Sequence, residues 1–181
     1  MIHRAIEERI HNALAKKKAV TIMGPRQVGK STLADAIIPK DARILEINGD
    51  NTDVQTMFIN VDEAKMKVLI GNKNFLFVDE AQKIENVGNM LKIVAEKFKD
   101  VKIIVTGSSA FKLADAVNES LTGRKREFRL YPLSFKEMAD ETSTLEESRM
   151  IDHRLIYGYY PEVVTSPGDE KEVLKELIDS Y

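Results

Sequence analysis

The sequence predicts an α/β fold built on an open parallel sheet, and three observations carry that prediction. Short apolar runs of strand character alternate with segments whose apolar residues recur every three or four positions. The first such run, Ala19–Met23, passes through a glycine-containing turn directly into a helical pattern from about Lys30. The clearest helical pattern, from about Gln82 to Phe98, is long enough to return the chain for another parallel strand, and such crossovers are right-handed.

In chain order, Ile2, Ile6, Ile10 and Leu14 recur every four residues and predict an amphipathic N-terminal helix. Residues 19–23 form the first strand, and the helix after it stops before Pro39. Residues 43–47, 75–78, 101–106 and 127–131 read as strands two to five, with helical patterns between them. Ile84, Val87, Leu91, Val94 and Phe98 mark one face of the 82–98 helix, and Ala110, Leu113, Val117 and Leu121 repeat the spacing before Gly123, a left-handed cap. Beyond Pro132 the composition turns helical: Ser134 with Glu137 and Thr144 with Glu147 read as capping boxes, and Gly158 as a stop. The expected division is an α/β core over residues 1–132 and a small helical lid with the start of a linker helix over 133–181.

Of 181 residues, 43% are hydrophobic and 31% charged, with a net charge of -2, the profile of a soluble globular protein. No run nears the roughly 18 apolar residues of a membrane span, and the first ten positions hold His3, Arg4, Glu7, Glu8 and Arg9, unlike a secretory signal. The chain lacks cysteine and has three scattered histidines, which excludes disulfide and thiolate-metal frameworks. A cytoplasmic location and no membrane partner are expected. The even charge balance does not indicate nucleic acid, which needs clustered cations; Lys16-Lys17-Lys18 reads as a helix end, and Arg124-Lys125-Arg126 as a short basic loop.

Gly24-Pro25-Arg26-Gln27-Val28-Gly29-Lys30-Ser31, followed by Thr32, matches G-x-x-x-x-G-K-[ST] between a buried strand and a helix. Glycines let backbone N–H groups turn onto phosphate oxygens at a helix N-terminus, Lys30 reaches the outer phosphates of ATP, and Ser31 offers a hydroxyl to Mg²⁺. A chance glycine turn needs no lysine followed by a hydroxyl. Phe75-Leu-Phe-Val-Asp79-Glu80 is an apolar strand ending in two carboxylates at the C-terminal sheet edge. Asp79 is expected in the Mg²⁺ shell and Glu80 on the attacking water, although two acids here also suit the first turn of the next helix. Thr106-Gly107-Ser108-Ser109 ends the fourth strand in small hydroxyls that either approach the γ-phosphate or cap the helix near Ala110. Arg124 is either a clamp on developing phosphate charge or a solvated loop residue.

Together the segments GPRQVGKST, LFVDEAQ, VTGSSA, LTGR, YPLSF and YGYYPEVV, in this order, resemble the prokaryotic AAA+ P-loop ATPases usually followed by a C-terminal domain of unknown function. The likeness runs over most of the chain. It implies a three-layer α/β/α P-loop NTPase with parallel sheet order 5-1-4-3-2, Ser108 as the sensor of strand four, and Arg124 as an arginine finger. Because Gly123 ends a helix leading away from Ser108, Arg124 is expected on the flank of the sheet, acting in trans on a neighbouring subunit of a homo-oligomer. Relatives continue further, so the chain reads as the ATPase portion of a longer protein whose partner binds through the lid or the C-terminal domain. Arg149 and Arg154 are candidates for a second sensor or are solvated helix charges, and Tyr157, Tyr159 and Tyr160 either pack the lid or form a partner surface.

Three functions compete: Mg²⁺-dependent ATP hydrolysis, with Glu80, Lys30, Ser108 and Arg124 as catalytic residues; an ATP-dependent interaction switch with negligible turnover; and a DNA-associated ATPase. A GTPase would need Asn-Lys-x-Asp, and Asn72-Lys73-Asn74-Phe75 lacks the aspartate. A helicase would need a second lobe for which the chain has no room.

Overall fold

The computed structural model describes residues 2–108 and 120–179, and these divide into two compact units. One holds Ile6–Gly24 and Lys30–Arg129; the other holds the N-terminal residues to Ala5, Pro25–Gly29 and the chain from Leu130 on. This partition gives the phosphate-loop residues 25–29 to the same unit as the C-terminal helices.

The larger unit runs α1 (Glu7–Ala15), β1 (Ala19–Met23), α2 (Lys30–Ile37), β2 (Ile44–Asn48), α3 (Thr52–Phe58), α4 (Glu63–Ile70), β3 (Phe75–Asp79), a 3-10 turn (Ala81–Lys83), α5 (Val87–Lys97), β4 (Lys102–Gly107) and β5 (Lys125–Arg129). Every strand pair is parallel, in the order β2-β3-β4-β1-β5. Read from the other side this is 5-1-4-3-2, with β4 between the phosphate-loop strand and the Asp79 strand. β1 is buried along its whole length, and β3 and β4 almost so, because helices cover both faces; β2 and β5, at the edges, are partly exposed. Side chains alternate across a strand, so Ala19, Met23, Leu76, Val78, Ile103 and Val105 join Met66, Ile70, Met90, Leu91 and Val94 of α4 and α5 in one core. α1 packs on β1 and on α2, and α2 on β4.

The smaller unit carries α6 (Phe135–Glu141), α7 (Thr144–Arg149), α8 (Ile151–Tyr157), α9 (Pro161–Thr165) and α10 (Glu170–Asp179). Ser134 and Glu137 form the expected capping box, and Gly158, at φ +80°, ends α8. No helix among the described residues is long and apolar enough to cross a membrane.

Several predicted elements differ. The 82–98 helix starts only at Val87: Ile84 is extended and buried, and Asn86 takes a left-handed conformation that asparagine tolerates. The N-terminal helix begins at Glu7, and β5 ends two residues earlier than read. The cap of α7 is Ser143, which accepts from the Glu146 N–H, because Glu147 is withdrawn from the surface to pair with Arg154 at 3.1 Å. The helix read over Ala110, Leu113 and Val117 lies outside the described residues, as does Ser109. Gly123 does hold the left-handed conformation, at φ +72°.

Candidate functional site

In the larger unit, β1 and β3 end side by side with only β4 between them, so the residues that follow each strand meet at the C-terminal sheet edge. Lys30 and Ser31 open α2 there, and Lys30 is 5% exposed. The Ser31 hydroxyl donates to Asp79 Oδ2 at 2.7 Å, while Asp79 Oδ1 accepts from the Thr106 hydroxyl and, at 3.0 Å, from the Glu80 N–H. Two of the three donors come from other elements, so Asp79 is fixed by α2 and β4. The Gly24 N–H reaches the Gly107 carbonyl at 3.3 Å and registers the loop entrance against β4.

Glu80 is left-handed, at φ +46°, which turns its side chain out of the strand line. Its carboxylate Oε2 accepts from Gln82 Nε2 and, at 3.3 Å, from the Ser108 hydroxyl; Gln82 Nε2 also donates to Ser108 Oγ at 2.9 Å. The structure thus brings Ser108 to Glu80. Behind them, Gly49 donates its N–H to the Asp79 carbonyl at 2.8 Å, and a Cβ at that position would stand 2.3 Å from the Glu80 carbonyl oxygen. Only glycine lets the end of β2 lie this close to Glu80.

In the smaller unit, the loop 25–29 has Gln27 at φ +60° and Gly29 at φ +87°, with Val28 between them on the negative side. Such alternation turns successive N–H groups toward one concavity, an anion-binding nest. The buried Arg4 fixes this geometry: Nη1 donates to the Val28 carbonyl at 2.9 Å, Nη2 to the Tyr131 carbonyl at 2.6 Å, and Nε to Glu137 Oε1 at 3.0 Å. In a trans peptide the C=O and the following N–H point in opposite directions. Holding the Val28 carbonyl therefore aims the Gly29 N–H away from Arg4. Burial pushes the Glu137 carboxyl up, but the Ala5 and Ser134 N–H groups and Arg4 outweigh it and hold it below the usual carboxylate range.

In the larger unit, Arg124 stands apart from Asp79, Glu80 and Ser108. It precedes β5, its carbonyl accepts from the N–H of Ala19 at the start of β1, and its guanidinium pairs with Glu96 at 2.8 Å. That is the N-terminal edge of the sheet, whereas Asp79, Glu80 and Ser108 lie at the C-terminal edge. In the smaller unit Arg154 is not a solvated charge: it is half-buried, pairs with the buried Glu147 and lies over the Tyr159 ring, 5.6 Å from the centroid. Arg149 is exposed, and Tyr157, Tyr159 and Tyr160 are half-buried.

Sequence reasoning did not single out Gly49, Gln82 or Arg4, and it named Thr106 only as one of the strand-end hydroxyls, not as the partner of Asp79. Thr106 and Gln82 lie within two residues of Ser108 and Glu80, a proximity that marks them for inspection. Gly49 and Arg4 act across distances in the chain that no local pattern reports.

A central strand passing through a glycine loop into a lysine-led helix, one strand away from a strand ending in paired carboxylates, defines a P-loop NTPase of the three-layer α/β kind. The chain belongs to the AAA domain family, whose profile matches residues 16–139. Among curated relatives, the uncharacterized protein MJ1544 of Methanocaldococcus jannaschii is 28% identical over an alignment covering 97% of this chain and 43% of that protein. An uncharacterized protein of Haemophilus influenzae is 32% identical over 60% of this chain and 28% of its own length. The chain thus spans less than half the length of these relatives. Among solved structures, the Walker-type ATPase paby2304 of Pyrococcus abyssi superposes with a TM-score of 0.63 at 15% identity, over 99% of this chain and 72% of that one. The Aeropyrum pernix ORC1 protein in complex with DNA gives 0.54 at 13% identity, over 82% and 50%. At these identities the two structures share the fold.

Proposed function

We propose that this chain binds ATP with Mg²⁺ at residues Gly24–Thr32 and hydrolyses it, with Glu80 orienting the attacking water. The observation that supports this best is the hydrogen-bonded set Ser31–Asp79–Thr106 next to the buried Lys30. A serine hydroxyl and a carboxylate 2.7 Å apart are hard oxygen donors suited to Mg²⁺, which keeps its waters and takes one or two protein ligands. Ser31 and Asp79 would hold the ion, and it would supply positive charge against the charge that develops on the phosphate.

The residues of the chain divide the remaining work. Lys30 supplies a point charge to the phosphates, and the Gly29 N–H, aimed by Arg4, supplies a neutral donor. Glu80 accepts the proton of the attacking water at its carboxylate, and Ser108 lies beside it to contact the transferred group. Gln82 and Ser108 donate to its Oε2, so a water is taken at the other carboxylate oxygen or in competition with these donors. The second reading is a switch that binds ATP and hydrolyses it negligibly, as a carboxylate occupied by its own side-chain donors would allow. For Arg124, the finger role in trans rests on its place at the N-terminal edge of the sheet, opposite Asp79 and Glu80; in its own chain the group is bound by Glu96.

The test pairs two variants. Lys30→Ala is expected to abolish ATP binding in calorimetry, and unchanged affinity in a folded variant would refute the site. Glu80→Gln is expected to keep ATP bound while phosphate release falls by about 10² to 10⁴. A wild-type chain that binds ATP without measurable release establishes the switch instead.

A further inference from the structure

Two basic runs that lie 106 residues apart in sequence are brought together at the N-terminal edge of the sheet, opposite the candidate ATP site. Lys16-Lys17-Lys18 leads into β1, and Arg124-Lys125-Arg126 leads into and begins β5; the two strands pair from Ala19 and Lys125 onward. Lys102 begins β4 on the other side of β1. Neighbouring strands are about 4.8 Å apart, so three adjacent strands present cations in a row along one edge.

Two grooves open there. One, of about 150 Å³, is lined by Lys16, Lys17, Lys18, Lys99, Lys102 and Arg124, with Asp100 as its only acid among the described residues. The other, of about 220 Å³, shares Lys16 and Lys18 with the first and adds Arg9 and Arg126, against Glu127 alone among the described residues. The positive charge is only partly offset: Arg124 pairs with Glu96 at 2.8 Å and Lys125 with Glu127 at 3.3 Å, and the other cations remain in excess. Lys18 Nζ donates to the neutral Gly123 carbonyl, at 2.5 Å, and the Lys17–Asp100 pair is exposed at both ends, 69% and 96%, a contact worth little and readily exchanged. In a chain of net charge -2, this edge concentrates cations that the composition dilutes.

We propose that this edge binds the phosphate backbone of a nucleic acid strand without reading its sequence. Two joined grooves with charge spread along adjacent strands suit an extended polyanion better than a single phosphate, which one nest would hold. An anionic membrane fits less well. Of the apolar residues at the first groove, Leu14, Ala19 and Ile103 are buried and Ala95, Phe98 and Val101 are half-buried, and none of the large exposed hydrophobic side chains of the described residues lines either groove.

The test is fluorescence anisotropy with a labelled 20-nucleotide oligo-dT and a 20-base-pair duplex, in the absence of ATP. Binding is expected near 10⁻⁵ M at 50 mM salt, weakening with salt at a log–log slope of about −3, as roughly four neutralised phosphates require. The triple variant Lys16→Gln, Lys99→Gln, Arg126→Gln is expected to weaken binding at least about tenfold and to flatten the slope by about two. The triple variant Lys40→Gln, Lys136→Gln, Lys171→Gln, on exposed positions elsewhere, is expected to bind as wild type. Lys30→Ala is also expected to bind normally, so failure here is separable from failure of the ATP site. No binding of either probe at 100-fold higher concentration (~10⁻³ M), or equal loss from both triple variants, overturns the proposal. Binding to phosphatidylserine vesicles without binding to either oligonucleotide overturns it in favour of a lipid surface.

Discussion

Gly49→Ala probes how closely Glu80 is held. The added methyl would lie 2.3 Å from the Glu80 carbonyl oxygen, 3.1 Å from its carbonyl carbon and 3.2 Å from the Asp79 oxygen. Ordinary non-bonded contact begins near 3.5 Å, so the Glu80 main chain has to retreat by about 1 Å. The neighbours are backbone atoms rather than a side-chain end, and Glu80 already sits in a strained left-handed conformation, so no rotamer change relieves the clash. Overpacking of this kind costs about 1–3 kcal/mol of stability. A displacement of 1 Å at a reacting group costs about 10²-fold in rate. Because Lys30 and Ser31 are on α2, ATP affinity should change little while phosphate release at saturating ATP falls by about two orders of magnitude. Calorimetric ATP binding, thermal melting and steady-state phosphate release on the same preparation separate these effects. A folded variant with wild-type turnover, from a wild type that hydrolyses ATP, would refute the argument that Gly49 places Glu80.

Two further variants test the Arg4 network. Arg4→Lys keeps the charge but cannot serve Glu137, the Val28 carbonyl and the Tyr131 carbonyl together, so ATP affinity should fall about tenfold, equivalent to roughly 1.4 kcal/mol for one misdirected loop amide; unchanged affinity in calorimetry rules out the positioning role. Glu137 has a folded pKa below its unfolded one, so its contribution to stability is full above the ordinary carboxylate range, near 4.3, and is lost as pH falls through the lower folded value. Glu137→Gln should therefore lower the melting temperature at pH 7 and flatten its decline between about pH 5 and pH 3, and an acid limb as steep as wild type would contradict that account.

Much of this protein was legible in the chain because its strongest signals are local. The phosphate loop, the Phe75–Asp79 strand with its carboxylates and the capping box at Ser134 each need only a few neighbouring residues, and side-chain period and turn chemistry report them directly. The parallel order 5-1-4-3-2 came from resemblance, since strand spacing says that strands pair but not which lie side by side. Tertiary packing decided the rest. It broke the 82–98 helix by burying Ile84 in an extended segment, and it withdrew Glu147 from a cap to neutralise Arg154. It pressed Gly49 against Glu80 and set Arg4 behind the phosphate loop, contacts that span 31 and 24 residues and leave no periodic trace. It also gathered two modest lysine and arginine runs into one basic edge, because parallel strands begin together however far apart their sequences lie. Sequence fixes what each residue can do chemically; which charges and backbones meet is settled when the core closes, because burial is shared among elements that no single segment contains.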